Sequence, residues 1–167
     1  MKIINKQAVS NNCFICGINN PVGLKMQFYE TEEGEVISSF TTREEYQSYA
    51  NRLHGGIITA ILDETIGRSI KILEEDTNGV TIEISVHFKR PVPINKELLV
   101  VGRITENSKM MFEGSAEIMD GDKVLATAHG KYMKIPIEEI TGIDNPHNEW
   151  VKNELTYEEI RSFDDKF

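Results

Sequence analysis

A histidine and two glycines stand together near the middle of the chain, and a carboxylate follows them at helical distance. The segment is His54-Gly55-Gly56, and Asp63 follows Gly55 by eight residues. If a helix begins at the glycines, its first N–H groups have no partner within the helix and carry partial positive charge. Such groups can polarise a carbonyl oxygen, as acyl transfer requires. The glycines could equally serve only a tight turn into the helix.

Asp63 is unusual because it lies within an apolar segment. Apolar side chains nearly encircle the first half of residues 55–73, which predicts a buried helix; they are Ile57, Ile58, Ala60, Ile61, Leu62, Ile66, Ile70 and Leu73. A carboxylate on a buried helix is costly unless it is paired or functional. The neighbouring Glu64 points about 100° away and can pair with Arg68 one turn later. We therefore assign the reactive role to Asp63.

The spacing of these groups has a geometric consequence. Gly55 and Asp63 lie roughly 12 Å apart along a helix axis, so one helix cannot bring both to one reacting carbon. Two antiparallel helices related by a twofold axis would bring Gly55 of one copy near Asp63 of the other. If both groups act in one reaction, the sequence predicts a site shared between two subunits.

The elements around this helix read as strands. Residues 25–30 and 35–41 precede it, and residues 80–88, 97–105, 110–119 and 123–133 follow it, with turns at Gly34 and Asp120-Gly121. Residues 80–88 alternate strictly, which predicts that Val80, Ile82 and the apolar residues after them share one buried face and that Thr81 faces away. The order β-β-α-β-β-β-β predicts an antiparallel sheet on one buried helix, an α+β domain.

Length and composition fit a single ordinary domain. The chain has 167 residues, 40% hydrophobic and 27% charged, with a net charge of −9. That charge disfavours nucleic-acid binding, and no apolar run approaches the ~20 residues of a membrane span. The N-terminus lacks the apolar core of a signal peptide, so we expect a cytoplasmic protein. The predicted division is an N-terminal segment 1–24, a domain 25–135, and an acidic tail 136–167 with a short helix at a capping box beginning at Thr156.

The two cysteines form a single pair. Cys13 and Cys16 make one Cys-x-x-Cys, and the second pair that a four-ligand zinc site normally needs is absent from the sequence. A redox pair would sit beside a βαβ pattern, which the chain does not show. The sequence therefore predicts two ordinary reduced thiols, with no metal and no cofactor.

Three blocks of sequence resemble one family, the hotdog-fold acyl-CoA thioesterases of the phenylacetyl-CoA thioesterase type, within the 4-hydroxybenzoyl-CoA thioesterase-like superfamily. The blocks are Cys13-Phe14-Ile15-Cys16-Gly17 with Asn20-Pro21-Val22-Gly23-Leu24, the segment from Tyr49 to Glu64 with its His-Gly-Gly core, and the strand from Ile82 to Phe88 with Arg90-Pro91-Val92-Pro93. The resemblance covers about residues 13–135. It implies a hotdog fold, in which an antiparallel sheet wraps around one long central helix.

The resemblance also implies roles by position. The Gly55 N–H, with Gly56 as a second donor, would polarise the thioester carbonyl. Asp63 of the partner subunit would act as nucleophile or general base, and His54 would position the thioester. Thr81 falls where related enzymes place a hydroxyl that orients the hydrolytic water.

The remaining expectations concern substrate and assembly. Ser48 occupies the position where some relatives carry an asparagine that assists the water or the carboxylate. Because the chain is acidic, a polyanionic CoA needs local cations, and Lys89 and Arg90 are the candidates. The expected partners are an acyl-CoA and further copies of the chain, as a dimer or a dimer of dimers. The alternatives are a non-catalytic acyl-CoA-binding hotdog protein and a hydratase or dehydratase.

Overall fold

In the computed structural model, a seven-stranded antiparallel sheet packs around one helix. The structure describes residues 1–142, 150–152 and 154–164. The strands are β1 (Ile3–Lys6), β2 (Val9–Ser10), β3 (Tyr29–Thr31), β4 (Val36–Thr41), β5 (Gly79–Phe88), β6 (Glu97–Asn107), β7 (Met111–Asp120), β8 (Lys123–Lys134) and β9 (Trp150–Val151). The helices are α1 (Gly55–Ser69), α2 (Ile137–Thr141) and α3 (Tyr157–Asp164). The sheet order is β1-β3-β4-β6-β7-β8-β5, and β2 pairs separately with β9.

Helix α1 is the centre of the core. It packs against β4, β5, β6, β7 and β8, and a 3₁₀ turn over Ile70–Ile72 continues it. Three apolar side chains of α1 and one of the turn are fully buried, namely Ile61, Leu62, Ile66 and Ile70. Burying one such side chain contributes roughly 1.5–3 kcal/mol. The helix is thus held firmly, and the predicted antiparallel α+β architecture around it is confirmed.

Most predicted strands are confirmed, but the first is wrong over most of its length. Only its end, from Tyr29, forms β3, whereas Met26 and Phe28 are buried in the core without belonging to a strand. Strands β1, β2 and β9 were not predicted, because their partners lie far away along the chain. The turns behave as predicted, with Gly34 and Gly121 at positive φ of 77° and 55°.

Strand β5 lies at one edge of the sheet and contains a β-bulge. Its register against β8 pairs Thr81 with Tyr132 and then Glu83 with Lys131, so Ile82 is an extra residue. The predicted strict alternation is therefore wrong: the bulge places Thr81 on the helix side together with Ile84 and Val86. The exposed fraction of Ile82 is 53%, so it does not join the buried face of this chain.

The C-terminal segment covers part of the outer face of the sheet. Phe163 of α3 packs in a second apolar cluster with Tyr29, Ile37, Leu99 and Val101. The predicted capping box is confirmed, since the Thr156 N–H donates to Glu159 Oε2 at 2.9 Å and the Glu159 N–H to Thr156 Oγ1 at 3.2 Å. Of the helices that are described, none is both long enough and apolar enough to cross a membrane.

Candidate active site

The start of α1 presents one free backbone donor. His54 is the N-cap residue, and its Nδ1 accepts a hydrogen bond from the Gly56 N–H at 2.9 Å. The backbone N–H of His54 donates to Tyr46 O at 2.9 Å. The Gly55 N–H has no acceptor among the described residues. Of the two predicted carbonyl-binding donors, Gly55 is open to a ligand, whereas Gly56 would first have to be released by His54.

The helix start lies against the carboxyl end of β5. A Cβ built on Gly55 would lie 3.6 Å from the Phe88 ring, an ordinary van der Waals distance. The exposed fraction of Phe88 is 57%, and Lys89 and Arg90 follow it directly. The Gly55 N–H and the two candidate CoA-binding cations therefore share one end of the edge strand.

Asp63 is held by two hydroxyl groups. The hydroxyls of Thr81 and Tyr132 donate to its Oδ1 at 2.9 Å and 2.8 Å. Asp63 is half-buried, and its Oδ2 has no partner within the described part of the chain. One carboxylate oxygen is thus anchored and the other is available to take a proton or attack a carbon. Thr81 can reach Asp63 because the β-bulge at Ile82 turns Thr81 towards the helix.

Tyr132 is a site residue that the sequence analysis missed. Its ring is buried and stacks on Phe112, with ring centroids 4.8 Å apart. Burial and the negative charge of Asp63 raise the pKa of the Tyr132 hydroxyl well above its usual range, so the hydroxyl stays protonated and donates. Its position in the sequence could have revealed it, because the residues on the buried face of β8 are Ala126, Ala128, Gly130 and Tyr132. Tyrosine is the only large residue among these four and the only one with a polar tip.

Glu64 is engaged elsewhere. Its Oε1 accepts from Arg68 Nε at 2.8 Å, the pair expected from the helical spacing. Arg68 is buried and also donates to Ala8 O at 2.9 Å. Glu64 therefore pairs with this cation, whereas the Asp63 carboxylate on the neighbouring face accepts hydrogen bonds from two neutral hydroxyls.

The other predicted substrate-binding residues lie near the Gly55 end. Ser48 is exposed in the loop before α1, where its backbone N–H donates to Arg52 O at 2.9 Å. The Arg90 side chain donates to Val124 O at 2.7 Å, while the Lys89 side chain has no partner among the described residues. Two other lysines that could meet the phosphates are already paired, Lys131 with Glu113 at 3.2 Å and Lys134 with Glu74 at 2.6 Å.

The two halves of the candidate site lie at opposite ends of β5. Gly55 lies by Phe88, and Asp63 by Thr81. Both groups belong to α1, where eight residues separate them by roughly 12 Å along the helix axis, so a single chain does not bring the N–H donor to the carboxylate. The hydratase alternative needs a histidine beside a carboxylate. His54 and Asp63 of one chain are also too far apart for this. One edge of β5 is unpaired within the described chain.

The sequence matches a family model described as thioesterase superfamily over residues 50–127, which includes Gly55, Asp63 and Thr81. Among curated relatives, acyl-coenzyme A thioesterase 13 of Homo sapiens is 18% identical over 110 residues. The alignment covers 66% of this chain and 79% of that protein.

Solved structures agree on the fold. A crystal structure of a thioesterase superfamily protein superposes with a TM-score of 0.69 at 21% identity, covering 75% of this chain and 61% of that one. The PaaI protein of the E. coli phenylacetic acid degradation operon gives a TM-score of 0.60 at 18% identity, covering 67% and 80% of the two chains. A Streptococcus mutans UA159 protein, solved bound to acetyl CoA, gives 0.59 at 18% identity, covering 66% and 89%. The predicted hotdog architecture is confirmed.

Proposed function

We propose that this hotdog-fold chain, whose residues 50–127 match the thioesterase superfamily model, hydrolyses the thioester of an acyl-CoA to a carboxylic acid and CoA. The observation that carries the proposal is the Asp63 carboxylate, which has Oδ1 fixed by Thr81 and Tyr132 and Oδ2 without a partner among the described residues. A human relative is named an acyl-coenzyme A thioesterase, and a related bacterial protein has been solved with acetyl CoA.

Two copies of the chain form the proposed site. The unpaired edge of β5 runs from the Asp63 end to the Gly55 end, and Val80, Ile82 and Phe88 along it are exposed. Apolar side chains on an open strand edge favour pairing with another strand. If two β5 strands pair antiparallel across a twofold axis, the Thr81 end of one meets the Phe88 end of the other. Asp63 of one copy then approaches Gly55 of the other.

The proposed chemistry can follow a general-base route. Asp63 Oδ2 takes a proton from water as the water oxygen attacks the thioester carbon, and the Gly55 N–H of the partner copy binds the developing oxyanion. Collapse of the tetrahedral intermediate breaks the C–S bond, and the protonated carboxyl returns its proton to the CoA thiolate. Thr81 and Tyr132 keep the carboxylate oriented through Oδ1.

A nucleophilic route uses the same atoms in another order. Asp63 Oδ2 attacks the thioester carbon, CoA leaves as the thiolate, and water then hydrolyses the mixed anhydride. A single turnover in ¹⁸O-labelled water tests for the nucleophilic route, because only an aspartyl anhydride can bring the label into Asp63. If water attacks the aspartyl carbonyl of the anhydride, the label appears in Asp63, whereas the general-base route places it only in the released acid.

We place the CoA phosphates beside Lys89 and Arg90, because both lie at the Gly55 end and Lys89 has no competing partner among the described residues. We further propose a cytoplasmic setting, in which two free thiols remain reduced. The shared site requires at least a dimer, and a dimer of dimers would preserve it.

The decisive experiment measures thiol release from a panel of acyl-CoAs by the protein and by Asp63→Asn. We expect hydrolysis of at least one acyl-CoA and a fall in kcat of ~10² or more in the variant, the scale of a lost general base. Asp63→Asn should keep the fold, since the amide oxygen still accepts from the two hydroxyls. Binding of acyl-CoA without thiol release would favour the non-catalytic alternative, and unchanged hydrolysis in Asp63→Asn would remove Asp63 from the mechanism.

A further inference from the structure

The N-terminal cysteine loop meets α1 in a cluster of three donor groups. The sulfurs of Cys13 and Cys16 and a carboxylate oxygen of Glu64 all lie within 4.8 Å of one another. Cys13 Sγ lies 3.9 Å from Glu64 Oε2, the oxygen that the Arg68 pair leaves free. Cys16 is fully buried and Cys13 is partly exposed. Three potential metal ligands therefore converge at a point that solvent can reach from one side.

The loop directs backbone donors at the sulfurs. The N–H groups of Ile15 and Cys16 donate to Cys13 Sγ at 3.3 Å and 3.4 Å, and the Ser10 N–H donates to Cys16 Sγ at 3.4 Å. A neutral thiol is a weak acceptor, whereas a thiolate is stabilised by such donors. The turn also needs glycine at position 17, because a Cβ there would lie 2.3 Å from Cys13 O. The loop therefore directs three backbone N–H groups at the two sulfurs, an arrangement that favours thiolates once a cation binds.

Charge balance is the second consideration. Two thiolates and the Glu64 carboxylate would bring three negative charges together, and Arg68 supplies one positive charge. Buried charges persist only when they are compensated. Arg68 Nη2 is buried and has no hydrogen-bond partner among the described groups, although the guanidinium lies close enough to Cys16 for their charges to interact. A divalent cation would balance the remaining two negative charges and leave the Cys16 thiolate beside Arg68 Nη2.

From this geometry we propose that Cys13, Cys16 and Glu64 bind a thiophilic divalent metal ion of the zinc class. Zinc binds thiolate sulfurs at about 2.3 Å and carboxylate oxygens at about 2.0–2.2 Å in a tetrahedral arrangement. The two sulfurs and the Glu64 oxygen lie close enough together to bind one such ion. Water takes the fourth position on the exposed side of Cys13. The sequence prediction of unmetallated thiols rested on the missing second cysteine pair. The third donor comes instead from α1, and its approach to the loop depends on the fold.

The site is independent of thioester hydrolysis and is tested by metal binding. The full-length protein is stripped with a chelator under reducing conditions, its two thiols are counted by a colorimetric reagent, and Co²⁺ is titrated in. We expect one Co²⁺ per chain, with a sulfur-to-cobalt charge-transfer band that Zn²⁺ abolishes on displacement. We also expect Zn²⁺ to raise the Tm, because the metal binds the folded chain preferentially.

Two variants localise the metal. Cys13→Ser preserves the Glu64–Arg68 pair and should weaken Co²⁺ binding at least about 100-fold, because even groups that only contact a metal ligand are worth about 10–100-fold. Glu64→Gln should weaken it while leaving a thiolate band. Its matched control is Glu113→Gln, because Glu113 and Glu64 are both glutamates paired with a cation, with side-chain exposures of 23% and 26%.

The control should bind Co²⁺ as the unchanged protein does. If Glu64→Gln fails to fold because Arg68 loses its partner, Cys13→Ser carries the test. A folded protein with two reduced thiols and no charge-transfer band would overturn the proposal. So would equal Co²⁺ affinity in the unchanged protein and Cys13→Ser.

Discussion

Two hydroxyl groups hold one oxygen of the Asp63 carboxylate and leave the other free of partners in the described chain. A carboxylate that must accept a proton or attack a carbon gains from this asymmetry, because its orientation is set before the substrate arrives. Tyr132 contributes most to that orientation, since its ring is buried and stacked and cannot easily turn.

Tyr132→Phe should lower kcat about 10- to 100-fold and change KM by less than a few-fold. The loss corresponds to one hydrogen bond to a charged group, worth about 1.5–3 kcal/mol, and the substrate does not contact this hydroxyl in the proposed mechanism. Steady-state kinetics on an active acyl-CoA measure both constants.

A matched control for this change is available in the same fold. Tyr29 is also buried, and its hydroxyl donates to Glu159 at 2.8 Å on the outer face of the sheet. Tyr29→Phe should leave kcat unchanged within a factor of about two. Equal losses in the two variants would mean that Tyr132 acts through general stability and not through Asp63.

Lys89→Glu tests the proposed phosphate contact. We expect KM to rise about 10-fold or more with little change in kcat, because a reversed charge at the Gly55 end repels the CoA phosphates without touching the reacting bond. Lys25→Glu is the control, since Lys25 is another exposed lysine whose side chain has no partner among the described residues. An unchanged KM in Lys89→Glu would move the nucleotide to other cations.

At the residue scale, the sequence could identify reactive groups and pairs within one helix, but not contacts between residues far apart in the chain. Asp63 was predictable because a carboxylate within an apolar helix needs a reason, and the Glu64–Arg68 pair because its spacing is helical. Tyr132 was not predictable in this way, since its contact with Asp63 joins residues 69 positions apart. The capping of Gly56 by His54 was also hidden, because it depends on a side-chain rotamer.

At the scale of elements, the open edge of β5 decides how the candidate site can be completed. The strand carries exposed apolar residues at Val80, Ile82 and Phe88. Its bulge turns Thr81 towards α1 and leaves Ile82 at the edge. A strict two-residue alternation cannot reveal such a bulge, because the extra residue is itself apolar and fits either phase.

Ile82→Lys should weaken self-association at least about 10-fold, because a charge placed in an apolar interface lacks a partner. Thiol release should fall at low protein concentration and recover as concentration rises. Sedimentation velocity and activity measured over the same dilution series check this expectation.

Ile4→Lys is the control for the edge. Ile4 lies in β1 at the opposite edge of the sheet, and its exposed fraction of 54% matches the 53% of Ile82. This variant should associate and react like the unchanged protein. If both variants dissociate alike, or if neither does, the β5 edge is not the proposed interface.

At the scale of the whole molecule, the sequence alone could predict a site shared between two copies, because one helix holds Gly55 and Asp63 too far apart to act on one carbon. The long helix and the four strands after it were readable because they are periodic and joined by short turns. The small strands were not, since β2 pairs with β9 across about 140 residues. Such pairs are selected by the finished fold and leave little periodicity in so few residues.

Complementation tests the shared site directly. Asp63→Ala and Gly55→Pro are each expected to be inactive, and they are unfolded together and refolded. If half of the dimers are mixed, each carries one intact site of two, so about a quarter of wild-type activity should return.

The proline variant suits this backbone. Gly55 is the first residue of α1, where proline is well tolerated, and His54 before it has φ −64° and ψ 136°, a conformation that proline favours in its predecessor. Gly55→Pro therefore removes the N–H with little cost to the helix. Verified subunit exchange without regained activity would contradict a site built from two copies.

Helix α3 has a consequence for the behaviour of shortened chains. Phe163 covers Tyr29, Ile37, Leu99 and Val101 on the outer face of the sheet, and Glu159 is fastened there by Lys6 at 2.6 Å. A protease cut or a premature stop codon before residue 154 would leave the proposed catalytic groups in place but expose this apolar surface to water. Exposed patches of this kind promote aggregation. Such a fragment should therefore collect in the insoluble fraction of an expressing cell, even though every proposed catalytic residue is still encoded.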